Sequence, residues 1–493
     1  RLSISTTMWL LFFTVVSITI AVTVATSSAQ TKLPQFNHSW STLPVFWFSA
    51  NTSGYENPSE TAIIAKFPVA ILAWQLGTQA DPKFRHAEDK LHTQAASLSK
   101  TAPNTEVLVY VQGQLALNWY EYQRAMLPPP CGTDVNGTYT DYFLMALNGT
   151  PALWPGSSPG CPHVLNYNFS QARVRDHFVN EIVTPTAMAP NIKGIWFDDT
   201  DWLACHDMCN EVHDMHLKPC DLNAKTDVFN GIVQWKRAVA TSFNARNQIP
   251  IFSSINSWNE TSSRNTCTTS EKELTQTLAG LSYGRFYEGW SGSCDDIWNA
   301  KTEAEAGIAV FINQVGVIEQ YVVAAFLMTA GNQSFFASST CWVDPCTTWH
   351  PQFYDQSLGA PKGAATSMGT KWTREFEHTT VTLDCKAKTS TIAGWPTPAP
   401  SPPPPPPPPP PAPLPPKPAP GKWSAPAYCT ACHNSPLIDK GTNLNLTQCE
   451  NYCVGDTQCT FINYAYANGA CMLFAGCDAP WRYPNCKGNT WWT

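Results

Sequence analysis

Ten consecutive prolines, Pro402–Pro411, sit inside a stretch (396–420) made almost entirely of Pro, Ala and Ser. Proline has no backbone N–H and a fixed φ, so this segment can enter neither a helix nor a sheet ladder. It adopts polyproline II, rising about 3.1 Å per residue as a semi-rigid spacer. No single core can span the chain. A large unit over 33–390 and a small unit over 425–493 are expected on either side. The 18 cysteines divide in the same way, ten before the spacer and eight after it. Both counts are even, as two separately disulfide-bonded units would require.

Cysteine usage at this density points to an oxidising compartment. Trp9–Ala25 is an uncharged, mostly apolar run, and Ser27-Ser28-Ala29 after it offers a small-x-small cleavage pattern. Residues 1–29 therefore read as a signal peptide, with an uncleaved type II signal anchor as the alternative. Eight N-x-S/T sequons, at Asn37, Asn51, Asn136, Asn148, Asn168, Asn259, Asn332 and Asn445, agree with a secreted glycoprotein of the extracellular space, cell wall or matrix. The net charge of −7 argues against a nucleic-acid partner, which would need a basic face.

The large unit alternates two periodicities. Short runs rich in Val, Ile, Phe and Tyr occur at 45–49, 69–74, 107–112, 192–198, 251–256, 285–288, 308–314 and 334–338. Helix-like stretches lie between them, at 83–98, 171–182, 228–246, 271–281 and 318–330. Eight such repeats predict an α/β fold, a (β/α)8 TIM barrel with inserted loops. An open doubly wound sheet is the alternative, but Ser49–Gly54 is not the Gly-rich phosphate turn such a sheet usually carries after its first strand.

In a barrel the chemistry lies at the C-terminal strand ends. Those ends carry Trp47, Trp74, Gln75, Gln112, Asp198, Asp199, Asp201, Asn256, Trp258, Tyr287, Glu288, Trp290 and Gln314. Amides and acids bond hydroxyls, and indoles stack on the C–H faces of sugar rings, so this set suits a glycan. Two strand ends bear acids. Glycoside hydrolysis needs one carboxyl to protonate the leaving oxygen and a second to attack or to activate water. Asp198 or Asp199, with Glu288, would supply that pair; the other set residues would bind substrate. Against this, Asp also favours strand-end turns and helix N-caps, and Glu288 could be a satisfied structural carboxylate.

The motif Gly194-Ile195-Trp196-Phe197-Asp198-Asp199-Thr200-Asp201 resembles the strand-four signature of hypothetical barrel glycosyl hydrolases related to the endo-α-1,4-polygalactosaminidase-like families, Gly followed by three apolar residues and Asp-x-x-Asp. On that resemblance the two motif acids are Asp198 and Asp201. Acids on strands four and six occur similarly in the melibiase-like clan of retaining α-glycosidases. Residues 43–48 and 64–75 look like the first two strands of the same families, and 372–378 with 381–384 resembles their closing Arg-x-Phe hairpin. The resemblance covers most of 43–385 and implies a TIM barrel and a glycosidase, without the substrate. Asp199 is an extra acid within the motif, which leaves the choice between Asp198 and Asp199 open.

Cys205, Cys209, His213 and His216 would form one stripe on a helix, a set able to bind zinc. In a secreted chain, with Cys220 nearby, disulfides are the simpler reading, and neither a metal nor a cofactor is expected. In the small unit, 444–453 reads as a helix and 459–464 and 469–474 as strands, an order that resembles apple/PAN modules, with a WSC-like lectin module as the alternative. Disulfides would carry the stability of so small a unit. It is expected to bind a matrix or cell-wall carbohydrate or protein. The whole reads as a secreted glycoside hydrolase; a non-catalytic carbohydrate-binding or wall glycoprotein and a lyase are the rival readings.

Overall fold

The computed structural model describes residues 33–395, except 80–85, 146–150, 152, 155–160, 162–163, 201–221, 255–274 and 340–346; beyond 395 it describes six short strands. The chain divides into two compact units, Arg1–Pro398 and Ala399–Thr493.

The first unit holds eight parallel strands that neighbour one another in chain order. They are β1 (Phe46–Ser49), β2 (Val69–Leu72), β3 (Glu106–Gln112), β4 (Ile192–Asp198), β5 (Ile249–Ser254), β6 (Gly284–Glu288), β7 (Ala309–Val315) and β8 (Ser334–Ser339). Val45 bridges Phe336 in parallel, and Phe336 N donates to Pro44 O at 2.9 Å, so the last strand lies beside the first in a nearly closed barrel. The helices between them include α1 (Pro58–Ile64), α2 (Ala87–Thr101), α3 (Ala172–His177), α4 (Leu222–Asn244), α5 (Cys294–Glu305) and α6 (Gln320–Thr329). Among the described residues no helix is long and apolar enough to cross a membrane.

Side chains along a strand alternate between faces, so each strand has an inner and an outer set. The inner set here is aromatic. Phe46 packs edge-on against Phe286 and Phe311, and Phe48 against Trp196, with centroids 5.0–5.7 Å apart. Tyr110 meets Trp196 at 5.2 Å. The rings fill the barrel, which is a packed core below its mouth. The outer set faces helices: Phe197 packs on Trp235 and Phe243 of α4. Phe36 closes the floor against Phe311 and Phe335, its backbone held by the Gln333 side chain. Gly194 is required where β5 crosses close by, since a Cβ there would collide with the Ile249 carbonyl oxygen.

Two helices beyond those anticipated begin at capping boxes. Asn57 accepts from Ser59 N and Glu60 N while Glu60 reaches back to Asn57 N, with Pro58 at the first position of α1. Ser293 and Asp296 do the same for α5. The long β3–β4 connection carries a three-stranded antiparallel sheet of Leu115–Ala116, Leu153–Trp154 and Val164–Asn166, stapled by Cys131–Cys161.

After the barrel come four antiparallel strands, β9 (Thr366–Met368), β10 (Lys371–Glu375), β11 (Thr380–Asp384) and β12 (Thr389–Ile392). This is the closing hairpin, extended at both edges. Cys294–Cys385 ties it to α5. The Arg of its Arg-x-Phe, Arg374, is only 8% exposed; Nη1 donates to Leu327 O and Ala330 O, both at 2.7 Å, and Nε to Gly363 O. It therefore satisfies the orphan carbonyls that end α6.

In the second unit, Phe461–Ala465 and Ala470–Phe474 pair antiparallel, flanked by Asn489–Trp492 and Ile438–Asp439. The two strands expected there are thus present. The expected helix at 444–453 and the signal segment lie outside the described residues.

Candidate active site

The barrel mouth is built from the ends of β3, β4, β6 and β7. Asp198 ends β4 with the same parity as Trp196, so its carboxyl turns inward. Oδ2 accepts from the Tyr110 hydroxyl at 3.0 Å and Oδ1 from Asp199 N at 2.9 Å. Tyr110 is anchored from behind, its carbonyl accepting from Tyr120 OH at 2.7 Å. Asp199 leaves the strand in the left-handed region, φ 49°, a conformation Asp tolerates better than most residues. Its Oδ2 accepts from Gln112 Nε2 at 2.7 Å, and Gln112 Oε1 accepts from Gly113 N. Gly113 is glycine because a Cβ would stand 2.8 Å from Asp198 O and 2.9 Å from Thr200 Cγ2. Thr200 pins the turn to β5, its Oγ1 donating to Ser253 O and its N to Ser253 Oγ.

Glu288 ends β6, half-buried, and faces the interior with Phe286. Its pKa is pushed up to about 7, first by burial and then by the charge of Asp199. Asp198 is held well above the usual carboxylate range by burial, then by Asp199 and Glu288; the two hydrogen bonds it accepts oppose this. Asp199 is raised by burial and lowered by Gln112. Three acids in one low-dielectric mouth cannot all ionise at neutral pH. Burial raises all three, and a carboxyl kept protonated in this way can serve as a general acid.

The other sequence candidates separate by strand face. Trp74 is half-buried and stacks on Trp119, centroids 4.1 Å apart and planes at 17°, with Gln75 beside it after β2. Gln112 is engaged in holding Asp199. Three residues expected at substrate lie on the outer face. Trp47, 3% exposed, sits between the inward Phe46 and Phe48. Tyr287 precedes Glu288 and donates to Glu303 Oε2 on α5 at 2.6 Å. Gln314 follows the inward Asn313 and braces the β7–α6 turn through Val317 O and Glu319 N. Trp290 is buried, its backbone N donating to Asn313 O. Asp201, Asn256 and Trp258, and the Cys205–His216 stripe, lie outside the described residues. Tyr110 and Trp119 were not singled out by the sequence, and Asn313 only as one of the two polar residues that end the seventh strand. Tyr110 and Asn313 were reachable by counting in twos from Gln112 and by pairing Glu288 across to β7.

A family model described as Hypothetical glycosyl hydrolase family 15 matches residues 299–380, a stretch that carries β7, α6, β8, β9 and β10 but neither Asp198 nor Glu288. No curated protein matches the sequence. Solved structures similar to it include a GH31 family sulfoquinovosidase from E. rectale, 11% identical over 62% of this chain and 44% of that one, TM-score 0.37. An alpha-amylase from Lactobacillus plantarum is 9% identical over 69% of this chain and 87% of that one, TM-score 0.35. A xylose isomerase domain protein from Planctomyces limnophilus is 10% identical over 62% and 91%, TM-score 0.32. The chain thus spans less than half the length of the sulfoquinovosidase.

Proposed function

We propose that the chain is a secreted glycoside hydrolase that cleaves a glycosidic bond with Asp198 and Glu288 across its barrel mouth. The observation that carries this reading is Glu288, pushed up to about 7 by burial and by Asp199, in the same mouth as an inward Asp198 that feels the charge of Glu288. Glu288 is the general acid: at neutral pH it is about half protonated, and it gives its proton to the leaving oxygen. Asp198, whose ionised form the hydrogen bonds from Tyr110 and Asp199 N favour against burial, is the group that attacks the anomeric carbon or takes a proton from water. Asp199 adds its charge to the burial that raises both. The stacked Trp74–Trp119 pair offers an apolar face at the rim for a sugar ring. The likeness of 299–380 to a hypothetical glycosyl hydrolase family supports the reaction class.

The 425–493 unit is proposed as an apple/PAN-like module that holds the enzyme on a matrix or cell-wall carbohydrate or protein, tethered by the proline-rich spacer. Its benefit is then one of local concentration. The test is a digestion of defined oligosaccharides and insoluble glycans by the full chain, D198N, E288Q and a chain lacking 425–493. The reading requires hydrolysis that both substitutions abolish. It also requires the truncated chain to lose activity on insoluble glycans while keeping it on soluble ones. Glycan binding without turnover by the wild type would replace the enzyme with a lectin.

A further inference from the structure

Two complementary groups stand unpaired on neighbouring strands of the mouth. Glu288 and Asn313 are partners in the β6–β7 register. Both turn inward, following the alternation that brings Phe286 and Phe311 onto Phe46. Asn313 is 0% exposed, and its Oδ1 accepts from Ser339 Oγ on β8 at 3.0 Å. Its Nδ2 is buried without a partner among the described residues. A carboxamide is planar, so an oxygen held toward β8 turns the nitrogen to the opposite side, where β6 and Glu288 lie. Buried amide N–H groups are rarely left unbonded, because the cost of desolvating them is then uncompensated. The Glu288 carboxyl, for its part, makes no hydrogen bond to a described residue.

We propose that Asn313 is the positioning residue of Glu288: when the Glu288 proton passes to the leaving oxygen, Asn313 Nδ2 donates a hydrogen bond to the carboxylate left behind. No bond of Asn313 breaks; both its N–H groups remain, and only the Glu288 proton moves. The charged groups facing Glu288 are Asp198 and Asp199 on the β4 side. Arg285 on β6 itself points outward to Glu303. Facing Glu288 at this level of the mouth are thus two acids, of which Asp199 hinders its ionisation, and one amide placed to favour it.

This inference takes its catalytic meaning from the proposed hydrolase, but its test does not need turnover. In the full chain labelled with carboxyl-13C glutamate, E288Q identifies the Glu288 resonance, which is then titrated in wild type, N313A, S339A and W290F. N313A should raise the Glu288 midpoint by about one pH unit, the effect of losing one hydrogen bond to the charged form. S339A, which keeps the amide but frees its rotation, should raise it by less. W290F should leave it in place, although the Trp290 indole N–H is also buried and unpartnered. An unmoved midpoint in N313A overturns the proposal. If N313A does not fold, an unmoved midpoint in S339A overturns it. A rise in W290F matching that of N313A transfers the role to the indole. Absence of glycan hydrolysis, with the midpoint moving as stated, would instead remove the hydrolase and leave the pairing standing.

Discussion

Removing the charge of Asp199 should move the alkaline limb of the pH–rate profile, which the general acid Glu288 sets. Asn is the substitution of choice because it also tolerates the left-handed backbone at φ 49° and still presents an oxygen to Gln112 Nε2. Glu288 titrates near 7 against an ordinary 4.5, with burial as the first cause and Asp199 as the second. The charge therefore supplies the smaller share, about one pH unit, and burial keeps the rest. In D199N the Glu288 midpoint falls by that unit, and its protonated fraction at pH 7 drops from about one half to about one tenth. Asp198 loses the same repulsion, so the acidic limb also moves to lower pH and the whole bell shifts. Turnover at pH 7 should fall roughly fivefold while turnover at the new, more acidic optimum stays within about a factor of two of the wild type. The assay is reducing-end release from a soluble oligosaccharide across pH 3–9 (a span about the bell), with E288Q as the inactive reference. An alkaline limb that stays in place, or moves to higher pH, would refute the electrostatic account. Loss of turnover at every pH would refute it differently, by making Asp199 a reacting group.

Three further outcomes are expected. Glu88 is 2% exposed and its pKa is raised chiefly by burial. Its contribution to stability is therefore full below the unfolded carboxyl's pKa and is lost as pH rises through the folded one. E88Q, which keeps an acceptor for Glu121 N, should melt higher than wild type at pH 8 and no higher at pH 4 in thermal scans. R374A removes the guanidinium that bonds Leu327 O, Ala330 O and Gly363 O, and should cost about 2–4 kcal/mol in urea unfolding. R374K should recover only part of this, because an ammonium lacks the planar fork. G113A forces a Cβ to within 2.8 Å of Asp198 O, so kcat should fall about 10- to 100-fold with a smaller change in KM, measured on the same oligosaccharide.

The barrel was legible because strand and helix signals recur in a fixed order, and β4 falls at 192–198 as the Ile-Lys-Gly-Ile-Trp-Phe-Asp run predicts. What escaped was of two kinds. The α1 and α5 starts are written in Asn57-Pro58-Ser59-Glu60 and Ser293-Cys294-Asp295-Asp296, but α1 has only 7 residues and the buried side of α5 is only Ile297 and Ala300, so neither presents a sustained apolar period. The three-stranded sheet in the β3–β4 connection has strands of two or three residues, too short for a period of two to register. β5 begins at Ile249, two residues before its anticipated start, with Pro250 as its second residue; a proline there reads as punctuation although it lies at the strand's beginning.

The site was read as a rim, and a rim mixes two faces. Once Glu288 faces inward, Tyr287 must face out, and its hydroxyl is found on Glu303 of α5. The same alternation sends Trp47 outward between Phe46 and Phe48, and Gln314 outward after Asn313. It also brings in Tyr110, two residues before Gln112, to bond Asp198. This part of the chemistry was present in single strands and needed only counting. Which inward residues share a level of the barrel is a different matter. Asp198 stands beside Gln112, and Glu288 beside Asn313, because of the stagger between strands, which no local pattern encodes. Acids can therefore be nominated from sequence, but the neighbours that register brings beside them, Tyr110 for Asp198 and Asn313 for Glu288, cannot be read from any one strand.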